Sequence, residues 1–199
     1  MTDILDAADD KSAAKNDKID KLEEQLSFKS RFVLVFGEIT DKTANATCRR
    51  LLALSEDSEA PITMIISSPG GHVESGDAIF DVMRFVRAPV TTVGSGWVAS
   101  AGAHIFLAPP KERRLCLPNT RFMIHQPAGG AGGQATDIAI QAKEIIKARE
   151  RLARVVAMQT GQKYEKVAAD MERDYWMSAD EAIAYGIVSR TVERQKDLA

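Results

Sequence analysis

The N-terminal part of the chain changes from helical to strand-like hydrophobic spacing. Ile19, Leu22 and Leu26 recur at intervals of three and four residues among Lys and Glu, which predicts a short helix with one apolar stripe. Residues 32–36 then form a continuous apolar run, which is typical of a strand buried on both faces. The ordered core is therefore expected to begin at Phe32.

Helices and strands are predicted to alternate through the middle of the chain. The predicted elements are a helix around residues 51–54, a strand at 62–66, a helix over 79–86, a strand at 90–93 and a strand at 122–124. Turn-forming residues close two of the strands, at Ser68–Gly71 and at Gly94–Gly96. Such alternation favours an α/β fold with mainly parallel strand pairing.

The C-terminal half contains the longest predicted helix. It follows the glycine-rich stretch Gly129–Gly133, which is expected to be flexible or to be an extended segment that another backbone approaches closely. Thr136 is a candidate cap at the start of the helix, and Gly161 suits its end. Its apolar positions are Ile138, Ala142, Ile145, Leu152 and Val156.

The last helix is predicted to begin at the capping-box pair Ser178 and Glu181 and to end at Gly186. Residues 1–17 are rich in Asp, Ala and Lys and nearly free of large apolar side chains, so they are expected to form a flexible acidic tail. We therefore predict a single domain over residues 18–192 and a C-terminal tail at 193–199.

Composition narrows the function classes. The chain has 199 residues and 45% hydrophobic positions, which is enough for one core of ordinary domain size. Its net charge of -2 comes from interspersed acidic and basic residues, which argues against a nucleic-acid binder. The absence of a signal-peptide pattern or long apolar run argues against secretion and membrane spanning. Cys48 and Cys116 lack metal-ligand spacing and are too few for a disulfide framework, so we expect a cytoplasmic protein without a bound metal.

Ser100 lies in a run of small residues between a strand pattern and a helix pattern. Residues 96–103 read Gly-Trp-Val-Ala-Ser-Ala-Gly-Ala. A sharp strand-to-helix turn needs such small neighbours, and it exposes the hydroxyl while helix N-terminal amides point at the same spot. Spacing alone is equally consistent with a helix N-cap.

Three histidines could serve as the base that a serine nucleophile needs, and composition does not choose among them. His104 shares a helical face with Ser100, a rigid placement that favours a structural role. His72 lies in a turn and is a minor candidate. His125 follows a predicted strand directly, a position where enzymes of this architecture place functional groups, and it is the favoured candidate.

A carboxylate is needed to hold the imidazole, and the sequence offers 28 Asp and Glu residues. Asp174 lies between charged and aromatic residues, in Glu172–Trp176, which is consistent with a partly buried carboxylate. On the residues alone, a surface acid on a helix-to-turn segment is the favoured interpretation. The residues alone therefore leave this position open.

Several segments resemble the ClpP family of Clp protease proteolytic subunits, in the family's order. They are Ser67–Gly71, Ala99–Ala103, Leu117–Asn119, Met123–Pro127, Gly133–Ile138 and Glu172–Asp174. The resemblance covers roughly residues 30–190, and several motifs in register are far more specific than any one of them. It implies Ser100 as nucleophile, His125 as general base and Asp174 as orienting acid. It also implies an oxyanion hole formed by the amides of Gly71 and Ala101.

The same resemblance implies a crotonase-like α/β fold of repeated ββα units with mainly parallel sheets and a protruding strand-helix handle. The substrate would be an unfolded protein, bound as an added strand against two segments. The implied substrate-binding residues are Gly70, Gly71, His72, Val73, Gly129, Gly130, Ala131 and Gly132.

The family also implies stacked heptameric rings, which form a tetradecamer, and an AAA+ Clp unfoldase ATPase that uses the ATP. This subunit would need no cofactor and would contact neither nucleic acid nor membrane. Thr63 and Ile65 stand where the family often places tyrosines that dock the ATPase, and residues 1–29 differ from the family's N-terminal loop. These departures leave docking by a standard ATPase open. Arg173 is a candidate for an ion-pair network between rings.

Two other functions are compatible with parts of the pattern. A crotonase-fold or signal-peptide-peptidase-like hydrolase would use different chemistry, in the latter case a Ser–Lys dyad. Lys143 and Lys147 are candidates, although alternating charges on that helix are more simply a solvated face. A non-catalytic ring subunit could scaffold an active paralogue, although the three implied triad positions are all filled.

Overall fold

A computed structural model of the chain describes residues 19, 21–130 and 132–198, and these divide into two units between Phe32 and Val33. In the first unit, residues 21–30 form helix α1, as the spacing predicted. The apolar stripe of this segment, Ile19, Leu22 and Leu26, is exposed. The predicted acidic tail, residues 1–17, lies outside the described residues. The domain limits therefore stay a prediction.

The second unit is built on a seven-stranded sheet, of which β1 contributes the first strand. The strands are β1 Phe32–Phe36, β2 Ile62–Ser68, β3 Val90–Ala99, β4 Arg114–Cys116, β5 Arg121–Ile124, β6 Tyr175–Met177 and β7 Arg190–Thr191. Their order is β1-β2-β3-β4-β7, with β5 paired to β3 and β6 paired to β5. The β2–β3, β3–β4, β3–β5 and β4–β7 pairs are parallel, and β5–β6 is antiparallel. The predicted α/β fold with a mainly parallel sheet is confirmed.

Within the described residues, six further α-helices connect the strands. They are α2 Asp41–Asp57, α3 Val73–Phe85, α4 Ala101–Phe106, α5 Ala135–Thr160, α6 Tyr164–Asp170 and α7 Ala179–Tyr185. Helix α2 packs on α3, α3 packs on α4, and α4 contacts β2, β3 and β5. The interior positions of these helices, such as Leu51, Ile79 and Ile105, are fully buried. Within the described part of the chain, none of the helices combines the length and apolar character that crossing a bilayer requires.

Two strand predictions are corrected by the tertiary structure. In β1, Val33 and Val35 are buried, but Leu34 is 61% exposed, so the strand buries one face and not both. The third strand does not stop at Gly94–Gly96 but continues to Ala99, because it stays paired with neighbouring strands. Gly94 serves close packing there, since an added Cβ would lie 3.0 Å from Phe122.

The observed helix ends match those predicted from the local sequence, with one exception. Gly161 and Gly186 close α5 and α7 in the left-handed conformation, and Ser178 forms the predicted capping box with Glu181. The prediction of Thr136 as a cap is wrong, because α5 already begins at Ala135 after a Gln134 cap position. The buried residues of α5 are Leu152, Ala153, Val156 and Ala157, so its burial is concentrated in its C-terminal half.

Candidate active site

Ser100 occupies the turn between β3 and α4 in a backbone conformation that residues with a side chain rarely adopt. Its φ is 54° and its ψ is -122°, and its backbone N–H donates to the Met123 carbonyl at 2.9 Å. It stands at the cap position of α4, yet its hydroxyl makes no capping hydrogen bond. The interpretation as a plain helix cap therefore does not describe this side chain. Strain of this kind persists only where the surroundings impose it.

Glycines give the Ser100 turn its space. A Cβ on Gly70 would lie 2.5 Å from Ser100 Cβ, so that position excludes any side chain. A Cβ on Gly102 would lie 3.0 Å from Ser68 Cβ, where α4 meets β2. The small residues in this part of the sequence thus allow β2, the Ser100 turn and α4 to pack closely against one another.

His125 reaches Ser100 because their two strands run parallel. In the β3–β5 register Ala99 is opposite Met123, so Ser100 and His125 emerge at the same edge of the sheet. His125 Nε2 lies 2.7 Å from Ser100 Oγ. The imidazole side chain is 25% exposed, which leaves it accessible from one side.

Asp174 reaches His125 through an antiparallel pair. Ile124 is opposite Tyr175 in the β5–β6 register, so the residues just beyond them, His125 and Asp174, face each other. Asp174 Oδ1 lies 2.9 Å from His125 Nδ1. Sequence reasoning could not see this pairing, because three-residue β6 was not predicted.

Gln126 fixes the segment before Asp174 against the end of β5. Its backbone N–H donates to the Met171 carbonyl at 2.6 Å, and its side-chain amide donates to the Glu172 carbonyl at 2.9 Å. On the other side, Arg149 of α5 binds the Glu172 carboxylate. The loop that carries Asp174 is therefore anchored at both the strand and the helix.

The hydroxyl, the imidazole and the carboxylate form one continuous line of hydrogen bonds. With Nδ1–H donating to Asp174, Nε2 is left as the acceptor for the Ser100 hydroxyl proton. This arrangement can raise the nucleophilicity of an alcohol oxygen and stabilise the imidazolium that forms during attack.

Gly71 follows Gly70, whose Cβ position meets Ser100, and Ala101 follows Ser100 directly in the chain. The Ile39 N–H donates to the Gly70 carbonyl, and the Ile39 carbonyl accepts from the His72 N–H, both at 2.8 Å. The Gly71 N–H, which lies between Gly70 and His72 in the chain, takes part in neither hydrogen bond. Ala101 is the first residue of α4, where N–H groups have no intrahelical acceptor. Both positions suit donors to a developing oxyanion.

The remaining candidate bases are engaged elsewhere. His72 Nδ1 lies 2.8 Å from Ser75 Oγ, and its Nε2 lies 3.0 Å from Glu74, which fits a local hydrogen-bonding role. His104 is buried and stacks on Phe80. Lys147, one of the two lysines considered for a dyad, pairs with Glu144 on its own helix and is 71% exposed.

A mainly apolar cavity adjoins Ser100 and His125, and sequence reasoning missed most of its wall. Val73, at the start of α3, lines it, as does His104. The remaining lining residues are Ala101, Ala103, Ile124, Pro127, Leu152, Val156 and Met171. Two signals were present in the sequence: the family resemblance implied Val73 and Ala101, and the apolar spacing of α5 contains Leu152 and Val156.

The glycine-rich segment makes fewer contacts than its sequence suggested. Gly129 is approached by a side chain rather than a backbone, since an added Cβ would lie 2.8 Å from Ile145 Cδ1. Gly130 and Gly132 face open space, and none of residues 129, 130, 132 and 133 belongs to a strand. Ala131 lies outside the described residues.

Comparisons with known proteins agree over most of the chain. Residues 14–195 match the family described as Clp protease. The ATP-dependent Clp protease proteolytic subunit 2 of Gluconobacter oxydans is 56% identical over 192 residues, which cover 96% of this chain and 86% of that protein. The namesake from Pseudomonas aeruginosa is 47% identical over 174 residues, covering 87% of each. The solved ClpP1 structure from Listeria monocytogenes superposes with a TM-score of 0.81 at 47% identity, covering 89% of this chain and 99% of that one.

Proposed function

This chain belongs to the Clp protease family, and on that premise we propose that it is a serine-type endopeptidase subunit of an ATP-dependent Clp protease. The observation that carries the proposal is the unbroken line from Ser100 Oγ to His125 Nε2 at 2.7 Å and from His125 Nδ1 to Asp174 Oδ1 at 2.9 Å. In this assignment Ser100 is the nucleophile, His125 the general base and Asp174 the residue that orients the ring.

The chemistry is acyl transfer in two steps. Ser100 Oγ attacks a peptide carbonyl as His125 takes its proton, and the imidazolium then protonates the leaving amine. Water, activated by the same imidazole, hydrolyses the resulting acyl-enzyme ester. The amides of Gly71 and Ala101 stabilise the oxyanion in both steps, and removal of one such donor typically slows catalysis by about 10²–10³-fold.

The substrate is proposed to be unfolded protein. An extended chain would add as a strand along Gly70–Val73 and along Gly129–Gly132, where main-chain hydrogen bonds tolerate many sequences. One substrate side chain would enter the cavity beside Ser100, whose mainly apolar lining favours apolar groups.

The assembly and its partners are part of the same proposal. We expect stacked heptameric rings that enclose the active sites, in the cytoplasm, with ATP used by a partner AAA+ unfoldase and no cofactor in this subunit. The names of the relatives describe those proteins as ATP-dependent. Large exposed apolar side chains such as Phe85 and Met158, 80% and 71% exposed, are consistent with surfaces that a partner copy covers.

A fluorophosphonate probe tests the chemistry directly. The assembled protein should be labelled at Ser100, as located by mass spectrometry, and Ser100→Ala should abolish both labelling and peptide hydrolysis. Ser95→Ala, on the same strand, should retain both. Labelling at another residue contradicts the nucleophile assignment. An assembled ring that takes no label supports instead a non-catalytic subunit that scaffolds an active paralogue.

A further inference from the structure

A polar cluster joins the helix that follows Ser100 to two other helices. His104 of α4 is buried, and its Nε2 lies 2.9 Å from Asp77 Oδ1 of α3. Asp77 in turn accepts two hydrogen bonds from Arg151 of α5, at 2.8 and 2.7 Å. The His104 ring stacks on Phe80, with centroids 4.6 Å apart and planes 11° apart. The proposed reaction assigns no role to these groups.

The groups around Asp77 stabilise the ionised form of its carboxyl group. Burial alone raises the pKa of Asp77, but the two hydrogen bonds from Arg151 and the His104 ring 2.9 Å away outweigh it and lower the pKa to about 2. The hydrogen bond with Asp77 also raises the pKa of Arg151. Asp77 is therefore ionised at neutral pH, accepts both hydrogen bonds from Arg151 and lies in polar contact with the His104 ring.

Helix α4 depends on such contacts for its position. It has six residues, far fewer than an isolated helix needs, and it starts at the strained Ser100 turn. The His104 backbone N–H donates to the Ser100 carbonyl at 3.0 Å, so both residues belong to the same first turn. A displacement of the His104 backbone would therefore move Ser100 as well.

Close packing brings Asp77 within reach of this turn. Gly76, its neighbour, lies against α4, and an added Cβ there would lie 3.3 Å from Ala101 Cβ. Asp77 itself does not line the cavity beside Ser100, whereas His104 does. A loss of Asp77 thus alters the support of the Ser100 turn without removing a group that a substrate would touch.

We propose that Asp77 is a positioning residue for Ser100: by holding His104 from α3 and α5, it sets the placement of Ser100 Oγ against His125 Nε2. The inference rests on the proposed serine-protease function. For a variant at Asp77 it predicts a slower chemical step with unchanged binding, because the cavity and the substrate-binding segments keep their own residues. A displacement of an ångström or less costs about tenfold or more in rate.

The test is a double-mutant cycle on the assembled protein. Asp77→Ala removes the anion. His104→Phe keeps a ring stacked on Phe80 but removes both ring nitrogens, including the Nε2 that lies next to Asp77. The acylation of Ser100 by a fluorophosphonate is followed at increasing probe concentration, which separates the maximal rate from the concentration at half-maximal rate. Arg154→Gln is the matched control, because Arg154 lies on α5 but pairs with exposed Glu150.

Each single variant should lower the maximal rate about tenfold, and the double variant should be no slower than either, since the two residues act as one unit. The half-maximal concentration of Asp77→Ala should not change, and the control should match the wild type; His104→Phe is compared by its maximal rate alone, because His104 lines the cavity. Unchanged rates, or losses that multiply, would overturn the inference. Wild-type protein that is not labelled at Ser100 would instead refute the proposed function. Should Asp77→Ala not assemble, Asp77→Asn, which keeps the shape, takes its place in the cycle.

Discussion

Ser100 holds a backbone conformation that only its surroundings can maintain. Its φ of 54° is outside the usual range for a serine, and the fit of Gly70 against it leaves no room for relaxation. The cost of such strain is of the order of 1–3 kcal/mol and has to be met by the packing of β2, β3 and α4.

Gly70→Ala is expected to disable the site. The new methyl would lie 2.5 Å from Ser100 Cβ at a backbone φ of 102°, so the Ser100 turn has to move. We expect hydrolysis of a small peptide to fall by about 10²-fold or more. Gly161→Ala is the control, since Gly161 also has a positive φ but nothing lies within 4 Å of its Cβ position. Equal activity of the two variants would show that the close fit is not needed.

Asp77 makes stability depend on pH in a defined window. Its folded-state pKa of about 2 is below the ordinary value of 3.8, so the stabilisation is fully present above about pH 4 and is lost as pH falls through about 2. The shift corresponds to about 2 kcal/mol at neutral pH. Urea unfolding should show Asp77→Asn less stable than the wild type at pH 7, with the difference fading between pH 4 and 2. A difference independent of pH would contradict this.

At the scale of elements, β5 organises the candidate site. It runs parallel to β3, which brings His125 to Ser100, and antiparallel to β6, which brings Asp174 to His125. Helix α5 supports the same region through Arg149, which binds Glu172, and Arg151, which binds Asp77. The geometry of three side chains is thus set by strand register and one helix.

The two helix-closing glycines offer a matched comparison of helix ends. Gly161 and Gly186 both have positive φ, 75° and 98°, but a Cβ on Gly186 would lie 2.3 Å from the Thr160 carbonyl oxygen, while Gly161 has nothing within 4 Å. Gly161→Ala should cost about 1 kcal/mol, from backbone conformation alone. Gly186→Ala should cost at least about 3 kcal/mol, because it adds a steric overlap with backbone. Chemical denaturation measures both, and equal costs would exclude the role of the Thr160 contact.

At the scale of the whole molecule, the exposed apolar surface is the feature that a single chain leaves unexplained. Leu34, Phe36, Phe85 and Met158 are each more than half exposed. The proposed assembly would cover side chains of this kind, since apolar patches mark sites of protein–protein contact.

Native mass spectrometry tests the proposed assembly. Two stacked heptameric rings correspond to a particle fourteen times the mass of the 21.7 kDa chain. Ser100→Ala should leave the number of subunits in this particle unchanged, because the substitution removes a hydroxyl from the site and alters no surface between subunits. A monomer, or a particle of another symmetry, would contradict the proposed rings.

The sequence by itself determined what depends on neighbours along the chain. Most helices and strands, the glycine helix ends at Gly161 and Gly186 and the Ser178 capping box follow from hydrophobic spacing and local hydrogen bonding. The Ser100 turn was visible for the same reason, since a sharp turn requires small residues beside it. A resemblance of several motifs in order then indicated which histidine and which acid belong with it.

The tertiary structure decided what depends on residues far apart in the chain. Spacing could not select Asp174 among 28 acids, because its approach to His125 depends on the register of the short strand β6, and such registers are set by long-range packing. For the same reason the chain alone did not reveal that one face of β1 is exposed, that Leu152 and Met171 line the cavity, or that Asp77 Oδ1 lies 2.9 Å from His104 Nε2.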